Sequence, residues 1–151
     1  MTKISSKASV YLSLGLSGVF FAALIFGMSV LPHYVNVLNR MPEGIFFDGK
    51  TEIAICCYAV LLIAMVADVL MFWLLIRVKR ELVFTDISVA LIRWVSWCVI
   101  IIGVLFLALG YFLVEGLICA AAALFLGLCL RIVKNVIERA TEIKLENDFT
   151  V

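Results

Sequence analysis

Apolar residues fall into four long blocks separated by short polar breaks. No charged residue occurs from Ser9 to Leu31. Ile53 to Ile76 contains a single charge, Asp68. Trp94 to Leu113 and Leu117 to Leu130 contain none. A helix needs roughly 20 apolar residues to cross the hydrocarbon core of a bilayer. Uncharged blocks of this length read as spanning helices, over about 9–31, 53–76, 93–113 and 117–136, with Arg131 snorkelling to extend the last one. The expected fold class is all-α: one polytopic membrane domain, a bundle of four transmembrane helices, with no room for a second domain.

The breaks fill in the connections. Pro32 is expected to stop the first helix, and Pro42, Gly44 and Gly49 are turn residues. Within this 32–52 loop, Tyr34, Val35, Val37, Leu38 and Met41 fit one apolar face of a short helix on the membrane surface, with Phe46 and Phe47 dipping beside it. The loop is either a cover for the bundle or a docking site for a peptide or protein. The 77–92 connection carries Arg77, Lys79 and Arg80, and Thr85 is a plausible N-cap for the third helix. Trp94 and Trp97 fit an interfacial belt. Glu115 and Gly116 are expected to form a tight turn, which makes helices three and four an antiparallel hairpin. Ala120 to Ala123 and Gly127 give helix four a small-residue face, and Gly18 with Ala22 does the same on helix one. Beyond the membrane, Val133, Val136, Ala140 and Ile143 recur at helical spacing. Lys134 and Glu138 form an i,i+4 pair. The fourth helix should therefore project from the bilayer and end near Asn147 and Asp148, within a tail spanning 137–151.

Charge sets the expected orientation. Of the 12 Lys and Arg residues, ten fall in the N-terminal segment, the 77–93 segment and the region from Arg131 onward, against two in the 32–52 loop. That asymmetry predicts both termini on the cytoplasmic side, N-in and C-in, with the 32–52 loop outside. The two lysines ahead of the first block also suit a secretory signal peptide. The block is too long for one, however, and lacks a small-x-small cleavage site before Pro32. Charged residues are 15% of the chain and the net charge is +1, so no direct nucleic-acid binding is expected.

Candidate chemistry is sparse. Asp68 is the sharpest residue, because a charged aspartate at the centre of a lipid-embedded helix costs roughly 2.5–3.5 kcal/mol. It should face the bundle interior or be protonated. Ser13, Ser17, Ser96 and Cys98 lie at the same depth and could gather around it. Such a cluster would serve as a proton or cation site or as a register lock; alternatively, Asp68 snorkels toward Arg77 or Arg93. The five cysteines all sit in apolar runs and read as packing residues, with Cys56 and Cys57 the one pair worth a redox reading. Phosphate loops, zinc spacings, HExxH and serine–histidine–acid sets are missing, and the single histidine is His33. The expectation is a non-enzyme without cofactor or metal site, and without the repeats of a transporter.

The ending EIKLENDFTV, with Glu142, Ile143, Lys144, Glu146, Asn147, Asp148 and Thr150, closely resembles that of a bacterial membrane-protein family catalogued as domain of unknown function 2975. Members commonly end in a string like EIKEENDLTI. Phe84, Val89 and Arg93, followed by Trp97 and Cys98, look like the family's Phe-x-x-x-Asn-Val segment and the helix after it. The resemblance extends over essentially the whole chain. Ser88 stands where asparagine is usual, Val83 where proline is common, and Leu145 and Phe149 make the tail more apolar. The resemblance implies a multi-pass bacterial inner or plasma membrane protein with no established activity, often encoded beside a small helix-turn-helix regulator. It suggests a regulatory role through cytoplasmic protein contacts, using Arg77, Lys79, Arg80, Glu142, Lys144, Glu146, Asn147 and Asp148. Alternatively, the last three acidic and amide side chains cap the helix and pair with the 77–80 cluster. Other functions to weigh are permeation of an ion or small molecule at Asp68, and immunity exercised through the 32–52 loop. The bilayer itself, a cytoplasmic protein and a second copy of the chain are the expected partners.

Overall fold

A computed structural model describes residues 6–40, 50–80 and 82–149. All four elements are helices: α1 (Ser6–Arg40), α2 (Lys50–Lys79), α3 (Asp86–Gly110) and α4 (Val114–Phe149). Each is long and apolar enough to cross a membrane. The all-α, four-span reading therefore stands.

Several boundaries differ from the expectation. Helix α1 runs through Pro32 to Arg40. A proline removes one backbone hydrogen bond, but ending the helix there would free several polar groups beside lipid. Tyr34, Val35 and Val37 thus continue α1 rather than forming a separate surface helix. Pro42, Gly44, Phe46, Phe47, Gly49 and Met41 fall outside the described residues, as does the side chain of Leu38. Helix α3 starts at Asp86, seven residues before the expected membrane entry at Arg93. Thr85 is its extended N-cap residue, but its hydroxyl makes no capping bond. The α3–α4 connection is Tyr111 to Leu113, so Glu115 and Gly116 lie in the first turn of α4 rather than in the turn itself. A carboxylate there complements the positive end of the helix dipole. Helix α4 is continuous through the expected projecting segment and ends at Phe149, close to the Asn147–Asp148 end read from the chain.

The expected bundle does not close. Among the described residues α1 packs only against α2, α2 against α1 and α3, and α4 only against α3. The four helices form an open row in chain order. Lipid tails are as apolar as leucine, so closure gains nothing from hydrophobicity, and contact depends on small residues and hydrogen bonds. These concentrate between α3 and α4. A Cβ on Gly103 would lie 2.8 Å from Leu124, one on Gly127 would lie 2.6 Å from Ile100, and one on Gly116 would lie 2.6 Å from the backbone nitrogen of Gly110. Ala120 is fully buried in the same seam. Gly15 and Gly18 on α1, by contrast, face open space.

One end of the row gathers the start of α1, the α2–α3 connection and the far half of α4. There the Lys79 ammonium sits 4.6 Å from the Tyr11 ring centroid, and Arg93 pairs with Glu138 at 3.1 Å. This is the basic end.

Candidate functional site

Asp68 lies on α2 where that helix meets α1, and it is buried. The Ser17 hydroxyl, itself buried, donates to Asp68 Oδ1 at 2.9 Å. Grooves flank this pair on both sides. One, of about 540 Å³, is lined by Ser13, Leu16, Phe20, Asp68, Met71 and Leu75. The other, of about 260 Å³, is lined by Ser17, Gly18, Phe21, Asp68, Val69 and Phe72. The structure thus brings two of the four residues expected around Asp68, Ser13 and Ser17, to it. Cys98, on α3, lines neither groove. Ser96 lies elsewhere: it is buried in the α3–α4 seam and donates to the Gly127 carbonyl at 2.9 Å. Helical geometry decides this. Ser96 shares the depth of Asp68, but its side of α3 faces α4, and depth alone carries no information about direction.

Asp68 does not reach Arg77 or Arg93. Arg77 Nε donates to Ser88 Oγ at 3.1 Å, and Arg77 Nη2 donates to Thr85 Oγ1 at 3.0 Å. Ser88 has no exposed surface and donates to the Leu82 carbonyl at 2.7 Å. Arg77 therefore clamps the α2–α3 connection by a two-pronged contact. The chain alone offers Arg77 as a cytoplasmic contact or an anchor for Asp68, and Ser88 only as a departure from a family pattern. The available signal was a pair of hydroxyls, Thr85 and Ser88, within a short connection that begins with an arginine. Buried hydroxyls require partners, and a guanidinium can satisfy two at once.

Several other basic residues are also engaged. The Arg131 guanidinium stacks 4.3 Å from the Trp97 ring centroid, a cation–π contact at the depth where an aromatic belt is expected. Glu138 bonds both Lys134, as the i,i+4 spacing anticipated, and Arg93. Arg77 is held by Ser88 and Thr85, and Lys79 lies over Tyr11. Glu142, Lys144 and Glu146 are exposed on α4, while the side chains of Asn147 and Asp148 lie outside the described residues. Arg80 is exposed at the end of α2. All five cysteines are free thiols.

The architecture can now be set beside known proteins. A family profile described as "Protein of unknown function (DUF2975)" matches residues 29–151. The chain belongs to this family. No curated protein and no solved structure matches it. The DUF2975 match begins at Ser29, so it falls short of the whole-chain resemblance anticipated from the tail. It contains Asp68, the Arg77–Thr85–Ser88 clamp, the α3–α4 hairpin and all of α4. Ser13 and Ser17 lie ahead of it, so within this chain the partners of Asp68 come from outside the matched region.

Proposed function

We propose that this DUF2975 protein is a non-enzymatic regulatory protein of a bacterial cell membrane that works through protein contacts at its basic end, on the cytoplasmic side. The observation that carries this reading is the length and surface of α4. Arg131 and Trp97 mark the interfacial level. From Arg131, α4 continues to Phe149, and at 1.5 Å per residue Ile143 stands about 18 Å farther along the axis. Ile143 is 59% exposed there, on the side of α4 opposite Thr141 and Glu138, which face α3. An exposed isoleucine flanked by Arg139, Glu142 and Lys144 has the mixed apolar and charged make-up of a surface for a protein partner. The Lys and Arg asymmetry supports the cytoplasmic placement, and the family resemblance suggests a helix-turn-helix regulator as the partner.

Permeation at Asp68 has less support, since that residue lies between two helices of an open row rather than inside a four-walled channel. The exposed flanks of α1 and α4 leave room for a second copy of the chain. Immunity exercised through the 32–52 loop rests chiefly on residues outside those described.

The test is capture of soluble proteins by the chain in detergent, comparing wild type with Ile143→Asp and with a chain ending at Ala140. Because Thr141 is buried against α3, the point variant is the cleaner arm. A soluble protein retained by wild type and lost from both variants is the expected result. Equal recovery from all three would overturn the reading.

A further inference from the structure

Asp68 is a buried carboxylate without a counter-charge among the described residues. Among the described residues its one partner is the Ser17 hydroxyl. Arg77, the next basic residue along α2, is nine positions on, about 14 Å along the axis, and is held by Thr85 and Ser88. An ionised carboxylate in this setting is expensive; it is relieved by taking up a proton or by a positive charge that comes to it from outside the chain.

The surroundings select the kind of charge. Hard metal cations take six or more oxygen ligands. Here the side-chain oxygens are the carboxylate and the hydroxyls of Ser13 and Ser17, and the rest of the larger groove is apolar: Leu16, Val19, Phe20, Ala23, Met71 and Leu75. Small-molecule sites are mostly apolar and occupy about 300–1,000 Å³, and the larger groove, at about 540 Å³, lies in that range. Phe20 lines this groove with Asp68, and Phe21 and Phe72 line the other, a pairing of aromatic rings with a carboxylate that favours a cation with apolar substituents. Both grooves border lipid at the open α1–α2 flank, so a ligand that partitions into the bilayer reaches them directly.

We propose that the Asp68–Ser17 pair and its flanking grooves bind a lipophilic organic cation, of the quaternary ammonium or phosphonium class. Asp68 supplies the counter-charge, Ser17 orients the carboxylate, and Phe20 packs against the ligand's apolar arms. The inference is independent of the reading of α4.

The experiment is equilibrium binding of radiolabelled tetraphenylphosphonium to the full chain in detergent, with neutral triphenylphosphine oxide as a second probe. Wild type is expected to bind the phosphonium saturably, with one site per chain, and the neutral probe at least about tenfold more weakly. Asp68→Asn should weaken phosphonium binding at least about tenfold, and Asp68→Glu, which keeps the charge, should retain most of it. Absence of saturable phosphonium binding, or equal binding of both probes to wild type, would overturn the proposal whether or not Asp68→Asn folds. So would undiminished binding by a well-folded Asp68→Asn chain.

Discussion

Gly116→Ala should loosen the α3–α4 hairpin, and the size of the effect follows from the seam. A Cβ at residue 116 would stand 2.6 Å from the nitrogen and 2.9 Å from the Cα of Gly110, and 2.9 Å from the carbonyl carbon of Leu109. All three are backbone atoms on α3, so no side chain can rotate out of the way. Restoring an ordinary 3.4 Å contact requires the helices to part by about 0.8 Å at this point. A gap of roughly 0.5–1 Å forfeits a quarter to a half of the dispersion energy of the contacts it opens. Overpacking of this kind costs about 1–3 kcal/mol. Replacing glycine by alanine in a helix returns up to about 1 kcal/mol. The expected net loss is therefore about 1–2 kcal/mol. The assay is unfolding of the detergent-solubilised chain by titrated sodium dodecyl sulfate, followed by tryptophan fluorescence, which comes from Trp73 on α2 and from Trp94 and Trp97 on α3. Gly15→Ala is the matched control, because a Cβ there meets nothing within 4 Å. It should be neutral or slightly stabilising. A Gly116→Ala midpoint equal to or above that of wild type would refute the close backbone contact on which the hairpin rests.

Other consequences are equally direct. Ser17→Ala leaves the buried Asp68 Oδ1 without its hydroxyl donor and should cost about 1–3 kcal/mol in the same unfolding assay; no loss would mean that the pair is not formed in solution. Ser96→Ala removes the one side-chain bond from Ser96 to the Gly127 carbonyl and should cost about 0.5–1.5 kcal/mol, with an additive effect alongside Ser17→Ala because the two lie in different seams. Arg77→Lys cannot reproduce the forked contact with Thr85 and Ser88. Amide hydrogen exchange at Val89, whose N–H bonds the Thr85 carbonyl, should accelerate, and unchanged protection there would show that the clamp is dispensable. A green fluorescent protein fused after Val151 should fluoresce, and alkaline phosphatase joined within residues 41–49 should be active; the reverse pattern would invert the assigned topology.

The number of helices, their membrane character and the antiparallel pairing of α3 with α4 were legible in the chain, because lipid demands about 20 uncharged residues per crossing and the demand is written in consecutive residues. The family was legible too, from EIKLENDFTV at residues 142–151. Asp68 stood out for the same reason as the spans: one charge in an apolar run is conspicuous without coordinates. Its partner was only narrowed to a depth. Ser13, Ser17 and Ser96 were equivalent candidates until the rotation of each helix turned Ser17 toward α2 and Ser96 toward α4. Pro32 misled because a local rule about proline was outweighed by the cost of ending a helix beside lipid. The open row replaced the expected bundle because closure depends on where small residues meet, and Gly103, Gly110, Gly116 and Gly127 all serve one seam. Arg77 reads as a cytoplasmic contact or an anchor for Asp68 in the chain, and only the fold carries Ser88 back beneath it. Linear spacing determines what enters the membrane; which side chains meet there is decided by helix rotation and close approach, which depend on residues far apart in sequence.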